Sequence, residues 1–305
     1  MGGVALYACW NARAVGLVMT AEASIATAAA TGFQGVDLLV RDVIDAGRDP
    51  GELKRRMDDL GLRGGGWTLP MNWKNDEASF ESDLARLPRC AEVAAQLGLF
   101  RTGTWVRFES EPVAPETLGS REARDRVVAE TTAWQVERLG RIARILGEHG
   151  GRLGLEVIGS RSERTGEGVP LVSTYRDLLR RYADLGRAYS NVGVLADAYH
   201  LYAAGEEAEA ALAWGVEAVG WVHLADPANP DRTTMRDVER LLPGESGGEL
   251  CRKLLTRLAE GGYDGPVTAE PLAQSRSFRS DDAQERARLT REALRRVWPA
   301  SGASS

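Results

Sequence analysis

Four ionisable side chains stand near the ends of four short apolar segments in the C-terminal half of the sequence. These side chains are Glu156, Asp197, His223 and Glu270. If they meet, three buried carboxylates repel one another and lose their solvation. A divalent cation removes that conflict, and three carboxylates with one imidazole suit Mn²⁺, Mg²⁺ or Co²⁺ more than zinc. The pattern predicts one metal site, with Mn²⁺ as the expected ion and no organic cofactor.

Proton transfer next to a carbonyl is the chemistry that such a site offers. A divalent ion polarises a chelated carbonyl, acidifies the adjacent C–H and stabilises the resulting enediolate. Glu156 and Glu270 are the candidate acid–base pair, one taking the proton and the other returning it. Return to the opposite face epimerises, return to the neighbouring carbon isomerises, and loss of a β-hydroxyl dehydrates. The residues leave the choice among these open.

Polar and aromatic residues nearby are candidates for binding the substrate. His200 could donate a hydrogen bond to a substrate hydroxyl or act as a structural partner of Asp197, three residues earlier. Arg240 could bind a substrate oxygen or pair with Asp237.

Three tryptophans follow the third and fourth apolar segments. The rings of Trp67 and Trp105, and less so that of Trp73, could pack on the C–H faces of a sugar or cover the site as a lid.

Eight short apolar segments, the predicted strands, alternate with longer segments whose apolar residues recur with helical spacing. These strands and helices must position the candidate site residues. The predicted strands are Val4–Trp10, Gly35–Val40, Leu62–Leu69, Arg101–Val106, Arg152–Ile158, Val192–Tyr199, Val219–Ala225 and Pro266–Pro271. The clearest predicted helices are Ala78–Leu97, Arg121–His149, Thr174–Leu185 and Gly248–Glu260. Near-continuous apolar strands are typical of a parallel sheet that is buried on both faces.

Eight strand–helix units in this length favour an α/β fold, a single (β/α)8 TIM barrel in which the carboxyl ends of the strands share one rim. Residues 1–298 are predicted to form the barrel domain, and residues 299–305 a disordered tail. Thr20 and either Ser173 or Thr174 are candidate helix caps. The run Gly64–Gly66 lacks the Lys-Ser/Thr of a nucleotide P-loop. Gly244–Gly248 could cradle a phosphate, although the charge of Glu245 opposes this.

Charge and composition narrow the classes of partner. The net charge of -6 does not favour nucleic acid or an anionic membrane surface. Three scattered cysteines without CxxC spacing suggest a reducing compartment, and no apolar run is long enough for a membrane span. The sequence predicts a cytoplasmic protein that acts on a small sugar or cyclitol, with a homo-oligomer left open.

Several motifs resemble one known family. They are Gly154-Leu155-Glu156, the segment Asn191–His200, Val222–Asp226, Arg240–Glu245 and Gly262–Glu270. Together they resemble the xylose isomerase-like sugar phosphate isomerase/epimerase family, within the superfamily that includes apurinic (AP) endonuclease family 2, and most closely its inosose isomerase and dehydratase branch. The likeness spans nearly the whole chain.

The resemblance implies a TIM barrel with the four metal ligands already selected. It also implies acid–base roles for Glu156 and Glu270 and substrate contacts from His200 and Arg240. Two departures concern the surroundings: the loop Asp226–Glu239 is longer than in sugar 3-epimerases, and Ser162 stands where those enzymes have a second glutamate.

The sequence therefore predicts a metal-dependent isomerase or epimerase of a ketose- or inosose-like substrate in carbohydrate metabolism. One alternative is a lyase on the same site, either an inosose dehydratase or an enzyme that cleaves C-glycosides. A second is a phosphodiesterase of the AP endonuclease type, which the three histidines and the acidic net charge disfavour. A third is a barrel that binds without catalysing.

Overall fold

Nine short strand segments form one parallel sheet in the computed structural model, which describes residues 6–299. The segments are β1 Tyr7–Trp10, β2 Gly35–Val36, β3 Arg63–Gly64, β4 Gly66–Thr68, β5 Arg101–Trp105, β6 Arg152–Glu156, β7 Val192–Asp197, β8 Val219–Leu224 and β11 Pro266–Ala269. Their order is β3-β2-β1-β11-β8-β7-β6-β5-β4. Since β3 and β4 are two halves of the third barrel strand, this order closes an eight-stranded barrel and confirms the predicted fold.

Helices cover the outside of the barrel, as expected when both faces of a parallel sheet are buried. They are α1 Ala21–Ala30, α2 Val40–Asp45, α3 Pro50–Asp59, α4 Glu77–Gln96, α5 Pro115–Gly119, α6 Arg121–Glu148, α7 Tyr175–Arg181, α8 Ala183–Ala188, α9 Ala198–Ala204, α10 Ala208–Ala211, α11 Glu249–Glu260 and α12 Ala283–Val297. Short 3-10 turns lie at Arg13–Val15, Arg161–Glu163 and Val216–Ala218. None of the helices within the described range combines the length and apolar character needed to cross a membrane.

Most of the predicted strands end earlier than expected, and in two of them a polar side chain lies at the end. The strand predicted to reach Val40 ends at Val36, and Asp37 turns inward to accept a hydrogen bond from the Gly66 amide. The strand predicted to reach Tyr199 ends at Asp197, whose side chain caps helix α9 by accepting from the amides of Tyr199 and His200. In both places a carboxylate competes with the strand ladder for backbone donors.

The glycine run between β3 and β4 is explained by close packing rather than by ligand binding. A Cβ atom on Gly65 would lie 2.0 Å from Asp37 Oδ1, and one on Gly66 would lie 2.2 Å from the Trp221 ring. These contacts are far below van der Waals distance, so only glycine lets the backbone approach so closely.

Local signals at helix ends are largely confirmed. Thr20 accepts from the Ala23 amide and Thr174 from the Asp177 amide, so Thr174 rather than Ser173 is the cap. The predicted helix Thr174–Leu185 is interrupted at Tyr182, between α7 and α8. The first residues of the predicted strand Val4–Trp10 and nearly all of the predicted tail 299–305 lie outside the described residues.

A small antiparallel ribbon follows the seventh barrel strand. Its strands are β9 Asp226–Pro227 and β10 Arg240–Leu241, with Arg240 opposite Pro227 and Leu241 opposite Asp226. The residues between them form the long loop seen in the sequence. Because the ribbon closes the base of that loop, Arg240 returns to the barrel mouth directly beside the end of β8.

Candidate active site

Glu156, Asp197, His223 and Glu270 form one cluster at the carboxyl ends of neighbouring strands. One ligand atom from each lies within 4.8 Å of the ligand atoms of the other three. Parallel register explains the meeting: Asp197 stands opposite His223, and His223 stands opposite Thr268, two residues before Glu270. Within residues 6–299 this is the one group of His, Cys, Asp and Glu side chains with such spacing.

Asp197 is the buried anchor of the cluster, with 0% of its surface exposed. Its Oδ1 accepts from the Tyr199 amide at 2.7 Å and its Oδ2 from Arg240 Nη1 at 2.8 Å. The Asp197 amide in turn donates to the Tyr175 hydroxyl at 2.9 Å. These contacts fix the carboxylate from both sides, as expected for a ligand that needs a set orientation.

Arg240 binds two carboxylates of the cluster at once. Its Nη1 donates to Asp197 Oδ2 and to Glu270 Oε2, both at 2.8 Å, while Nη2 donates to Asp237 Oδ1 at 2.5 Å. The predicted pairing of Arg240 with Asp237 is therefore present. The guanidinium is buried and does not line the cavity above the cluster, so the structure places it as a support for the carboxylates. A substrate contact from Arg240, implied by the resemblance, stays a prediction.

Atoms left without hydrogen bonds show that the cluster suits a metal ion. Glu156 Oε1 and both ring nitrogens of His223 are buried and have no partner with hydrogen-bond geometry. His223 Nδ1 lies 3.3 Å from Glu270 Oε2 and 3.9 Å from Glu156 Oε1. Buried polar groups are normally satisfied, so these atoms, together with a donor set of three carboxylates and one imidazole, fit a divalent ion.

The pKa values of the two glutamates in the cluster are shifted in opposite directions. Burial, reinforced by the charge of Asp197, raises the pKa of Glu156 well above its usual range. Burial would also raise the pKa of Glu270, but His223 and Arg240 outweigh it and lower that pKa. For His223, burial opposes the charged form, yet Glu270 and Glu156 raise its pKa to about 9. Without metal, these surroundings favour the protonated form of Glu156 and the charged forms of Glu270 and His223.

Metal uptake is expected to release protons and to strengthen as pH rises. Metal binding requires Glu156 as a carboxylate and His223 as a neutral imidazole, so at pH 7 it should release the proton that His223 carries below its pKa of about 9. Because the pKa of His223 is about 9, the affinity for the metal should increase as the pH rises toward 9 and should weaken as the pH is lowered. Titration calorimetry with Mn²⁺ in buffers of different ionisation enthalpy measures this. Proton release near zero at pH 7 would contradict the assigned protonation states.

His200 lies behind Asp197 rather than on the cavity wall. It is fully buried, and its Nδ1 accepts from the Gly159 amide at 3.2 Å. Its Nε2 lies 2.9 Å from Arg240 Nη2 and 3.4 Å from Asp237 Oδ1. Burial lowers the pKa of His200, which keeps the ring neutral. Between the two predicted roles, the position favours structural support, and direct substrate contact stays a prediction.

A cavity of about 490 Å³, here called the mouth cavity, opens directly above the cluster. Glu156, His223 and Glu270 lie on its wall, whereas Asp197 does not. Trp105 also lines it and is 40% exposed, in agreement with the rim position predicted for this ring. The mouth cavity therefore brings two carboxylates and an aromatic face to one space of substrate size.

A second cavity of about 400 Å³, here called the side cavity, adjoins the first. It shares Asn11, Arg13, Thr68 and Trp221 with the mouth cavity. Trp67 lines the side cavity and not the mouth cavity, and its contact with a substrate stays a prediction. Trp73 is buried and donates to the Thr104 hydroxyl at 3.0 Å, which makes it part of the wall structure.

A buried carboxylate that was not among the predicted site residues, Asp37, supports His223 from the other side of the barrel. Asp37 Oδ2 accepts from the Thr268 hydroxyl at 2.7 Å, and Thr268 Oγ1 accepts from Trp221 Nε1 at 3.0 Å. The Trp221 ring then meets the His223 ring edge-on, with centroids 4.5 Å apart. Burial raises the pKa of Asp37 to about 6. Asp37 follows a strand end as the cluster residues do, so the same rule finds it once β2 is ended at Val36.

Replacing Thr268 by valine is expected to lower the free energy of unfolding by about 1–3 kcal/mol, because Trp221 Nε1 and Asp37 Oδ2 each lose a buried partner. Thr290→Val is a matched control, since Thr290 is also buried but its hydroxyl has no hydrogen-bond partner within the described chain. Thr290→Val should be neutral or slightly stabilising. Chemical denaturation of both variants measures the difference, and equal losses would remove the hydrogen-bond chain as the cause.

The loop Gly244–Gly248 binds a carboxylate of the protein itself. Asp226 Oδ2 accepts from the amides of Gly244, Ser246 and Gly248 at 2.9–3.1 Å. These amide donors were the basis for a possible phosphate cradle. Because Asp226 uses them internally, the loop fixes the ribbon beside Arg240 instead.

A parallel barrel with this acidic cluster at its carboxyl rim defines a TIM-barrel protein with a candidate metal site. The chain matches the family described as xylose isomerase-like TIM barrel over residues 25–297. It belongs to that family. No match was found among curated proteins.

Solved structures agree with this placement. A xylose isomerase domain protein from Alicyclobacillus acidocaldarius is 28% identical, with a TM-score of 0.78 over 96% of this chain and 98% of that one. The IolI protein, solved with a zinc atom, is 15% identical, with a TM-score of 0.73 over 96% and 98%. The 3-keto-D-glucoside 4-epimerase of E. coli is 18% identical, with a TM-score of 0.67 over 96% and 98%. The last two comparisons show a shared fold.

Proposed function

We propose that this protein is a divalent-metal-dependent isomerase or epimerase acting on a ketose- or inosose-like sugar. The observation that carries the proposal is the pair Glu156 and Glu270. Both carboxylates lie on the wall of the mouth cavity, both approach His223 Nδ1, and their pKa values are shifted in opposite directions. Titratable pairs whose environments separate their pKa values are typical of acid–base catalysis.

Glu156, Asp197, His223 and Glu270 would hold the ion. When bound, it supplies polarisation of the substrate carbonyl and stabilises negative charge on the adjacent oxygens. Mn²⁺ is the ion we expect from the donor set, and zinc belongs in the test because the IolI protein was solved with it.

The side chains around the ion have separate roles in proton transfer and positioning. Glu270, ionised and held by Arg240, takes the proton from the carbon next to the carbonyl. Glu156, on the same cavity wall, would pass a proton taken up from solvent to the other face of that carbon or to its neighbour. Asp197 stays buried and only holds position. Trp105, on the wall of the mouth cavity, would limit the entry of water.

Exchange of substrate hydrogen with solvent tests the proposal. Protein loaded with Mn²⁺ should incorporate deuterium from D₂O at the carbon next to the carbonyl of one member of a ketose and inosose panel, and chelation should stop it. A product of unchanged mass indicates an isomerase or epimerase, whereas loss of water indicates the lyase alternative. Absence of exchange with every panel member, with Mn²⁺ or zinc bound, would overturn the proposal.

A further inference from the structure

Lys74 lines the mouth cavity, and the charge of Glu156 on the same wall acts on it from beyond ion-pair distance. The chain has three lysines, and two of them form ion pairs: Lys54 with Asp58, and Lys253 with Glu249. Within residues 6–299 no carboxylate lies within ion-pair distance of the Lys74 ammonium. It lines the same wall as Glu156, His223 and Glu270.

Two indole rings hold this ammonium in place. Lys74 Nζ lies 3.8 Å from the centroid of the Trp105 ring and 4.4 Å from that of Trp73. Cation–π contacts of this kind orient a cation without neutralising it. Burial and the nearby charge of Arg107 outweigh the opposing charge of Glu156 and lower the pKa of Lys74 to about 7, so the charged form gains from any further anion that reaches it.

Arg13 adds a second cation to the same space. It belongs to the 3-10 turn after β1, is exposed, and lines both the mouth cavity and the side cavity. No carboxylate of the described chain forms an ion pair with it.

The metal site does not account for these cations. A divalent ion and Arg240 together supply three positive charges against the three carboxylates of the cluster. Asp237, which shares Arg240, does not line the cavity. The positive charge of Lys74 and Arg13 is therefore left for the ligand.

We propose that the substrate carries an anionic group, a carboxylate or a phosphate, and that Lys74 together with Arg13 binds this group while the carbonyl end lies over the metal cluster. This inference rests on the proposed function, since it assumes that the mouth cavity holds the substrate. It narrows the substrate class from neutral sugars to sugar acids or sugar phosphates. Arg13, at the junction of the two cavities, places the anionic group toward the side cavity.

Binding of matched probes to the Mn²⁺-loaded protein tests this inference without requiring turnover. The probes are D-fructose, D-fructose 6-phosphate and 5-keto-D-gluconate, measured by titration calorimetry. At least one anionic probe should bind on the order of tenfold or more tightly than D-fructose, because a charge-assisted hydrogen bond contributes a gain in affinity of about that size. The stronger of the two anionic probes identifies the group as phosphate or carboxylate.

Variants separate the role of Lys74 from general damage. Lys74→Met and Arg13→Met should each reduce the preference for the anionic probe toward one while Mn²⁺ binding is unchanged. Lys74→Arg should keep most of the preference, and Lys253→Met, which removes an exposed ion pair, should have no effect. Thermal melting checks that each variant is folded. If Lys74→Met does not fold, Arg13→Met alone tests the inference.

Weaker, equal or absent binding of both anionic probes relative to D-fructose would overturn the inference, as would an equal loss for all three probes in Lys74→Met. The outcome is separable from that of the proposed function. Solvent exchange with a neutral ketose but not with an anionic one would keep the proposed function and reject the anionic substrate. A preference for the anionic probes without solvent exchange on any substrate would keep the anionic ligand and reject the proposed function.

Discussion

Replacing Arg240 by methionine is expected to cost the metal-free protein about 3–5 kcal/mol of unfolding free energy, because it leaves buried carboxylates without their cation. Arg240 Nη1 lies 2.8 Å from both Asp197 and Glu270, and its side chain is only 3% exposed. Methionine keeps much of the side-chain volume, so the loss reports the charge more than the packing.

Metal should rescue this variant in part. A divalent ion bound by Asp197 and Glu270 supplies the positive charge that Arg240→Met removes. The melting temperature of the variant should therefore rise more on addition of Mn²⁺ than that of the parent protein. Denaturation with and without a chelator measures both effects.

Arg257→Met is the matched control for Arg240→Met. Arg257 also contacts two carboxylates, those of Glu209 and Glu260, but its side chain is half-exposed. Exposed pairs contribute little, so this variant should melt close to the parent protein with and without metal. Equal losses for the two variants in the presence of a chelator would contradict the assigned role of Arg240.

Replacing Glu270 by glutamine is expected to slow solvent exchange and turnover on the order of 10³-fold, since the amide cannot accept the proton from carbon. The substitution keeps the shape of the side chain and leaves Arg240 its contact with Asp197, so the fold should survive. Rates are compared at saturating Mn²⁺, because Glu270 is also a candidate ligand and weaker metal binding alone must not be mistaken for lost catalysis.

Glu249→Gln serves as the control for Glu270→Gln. Glu249 is an exposed residue at the start of α11 that pairs with Lys253, and its loss should leave exchange unchanged. If Glu270→Gln retained exchange within a few-fold of the parent protein at saturating Mn²⁺, Glu270 would not be the base. The same experiment on Glu156→Gln would then show whether the other glutamate takes the proton.

The sequence predicted the barrel and the four clustered residues because both follow from strand periodicity. A parallel strand places its last residues on a shared rim, so one ionisable residue at each of four strand ends is enough to predict that they meet. The predicted ends were least accurate where a carboxylate turned inward, and extending β2 to Val40 hid Asp37 inside a supposed strand.

Loops account for what the sequence did not predict. The distance of Lys74 from the cluster depends on how the segment after β4 folds over Trp105, and no periodic pattern encodes that path. Arg240 similarly reaches the cluster through the ribbon formed by β9 and β10, which pairs residues separated by a long loop. Tertiary packing also decided that His200 faces Gly159 and Asp237 rather than the cavity.

Metal binding measured directly tests the central claim, that these four side chains form one divalent-ion site. Elemental analysis and Mn²⁺ titration should give one ion per chain for the parent protein. His223→Gln and Asp197→Asn should each weaken binding by more than about 100-fold, since removal of even an indirect partner of a metal commonly costs 10–100-fold. No Mn²⁺ or zinc bound at millimolar concentration, or undiminished binding in both variants, would contradict the account.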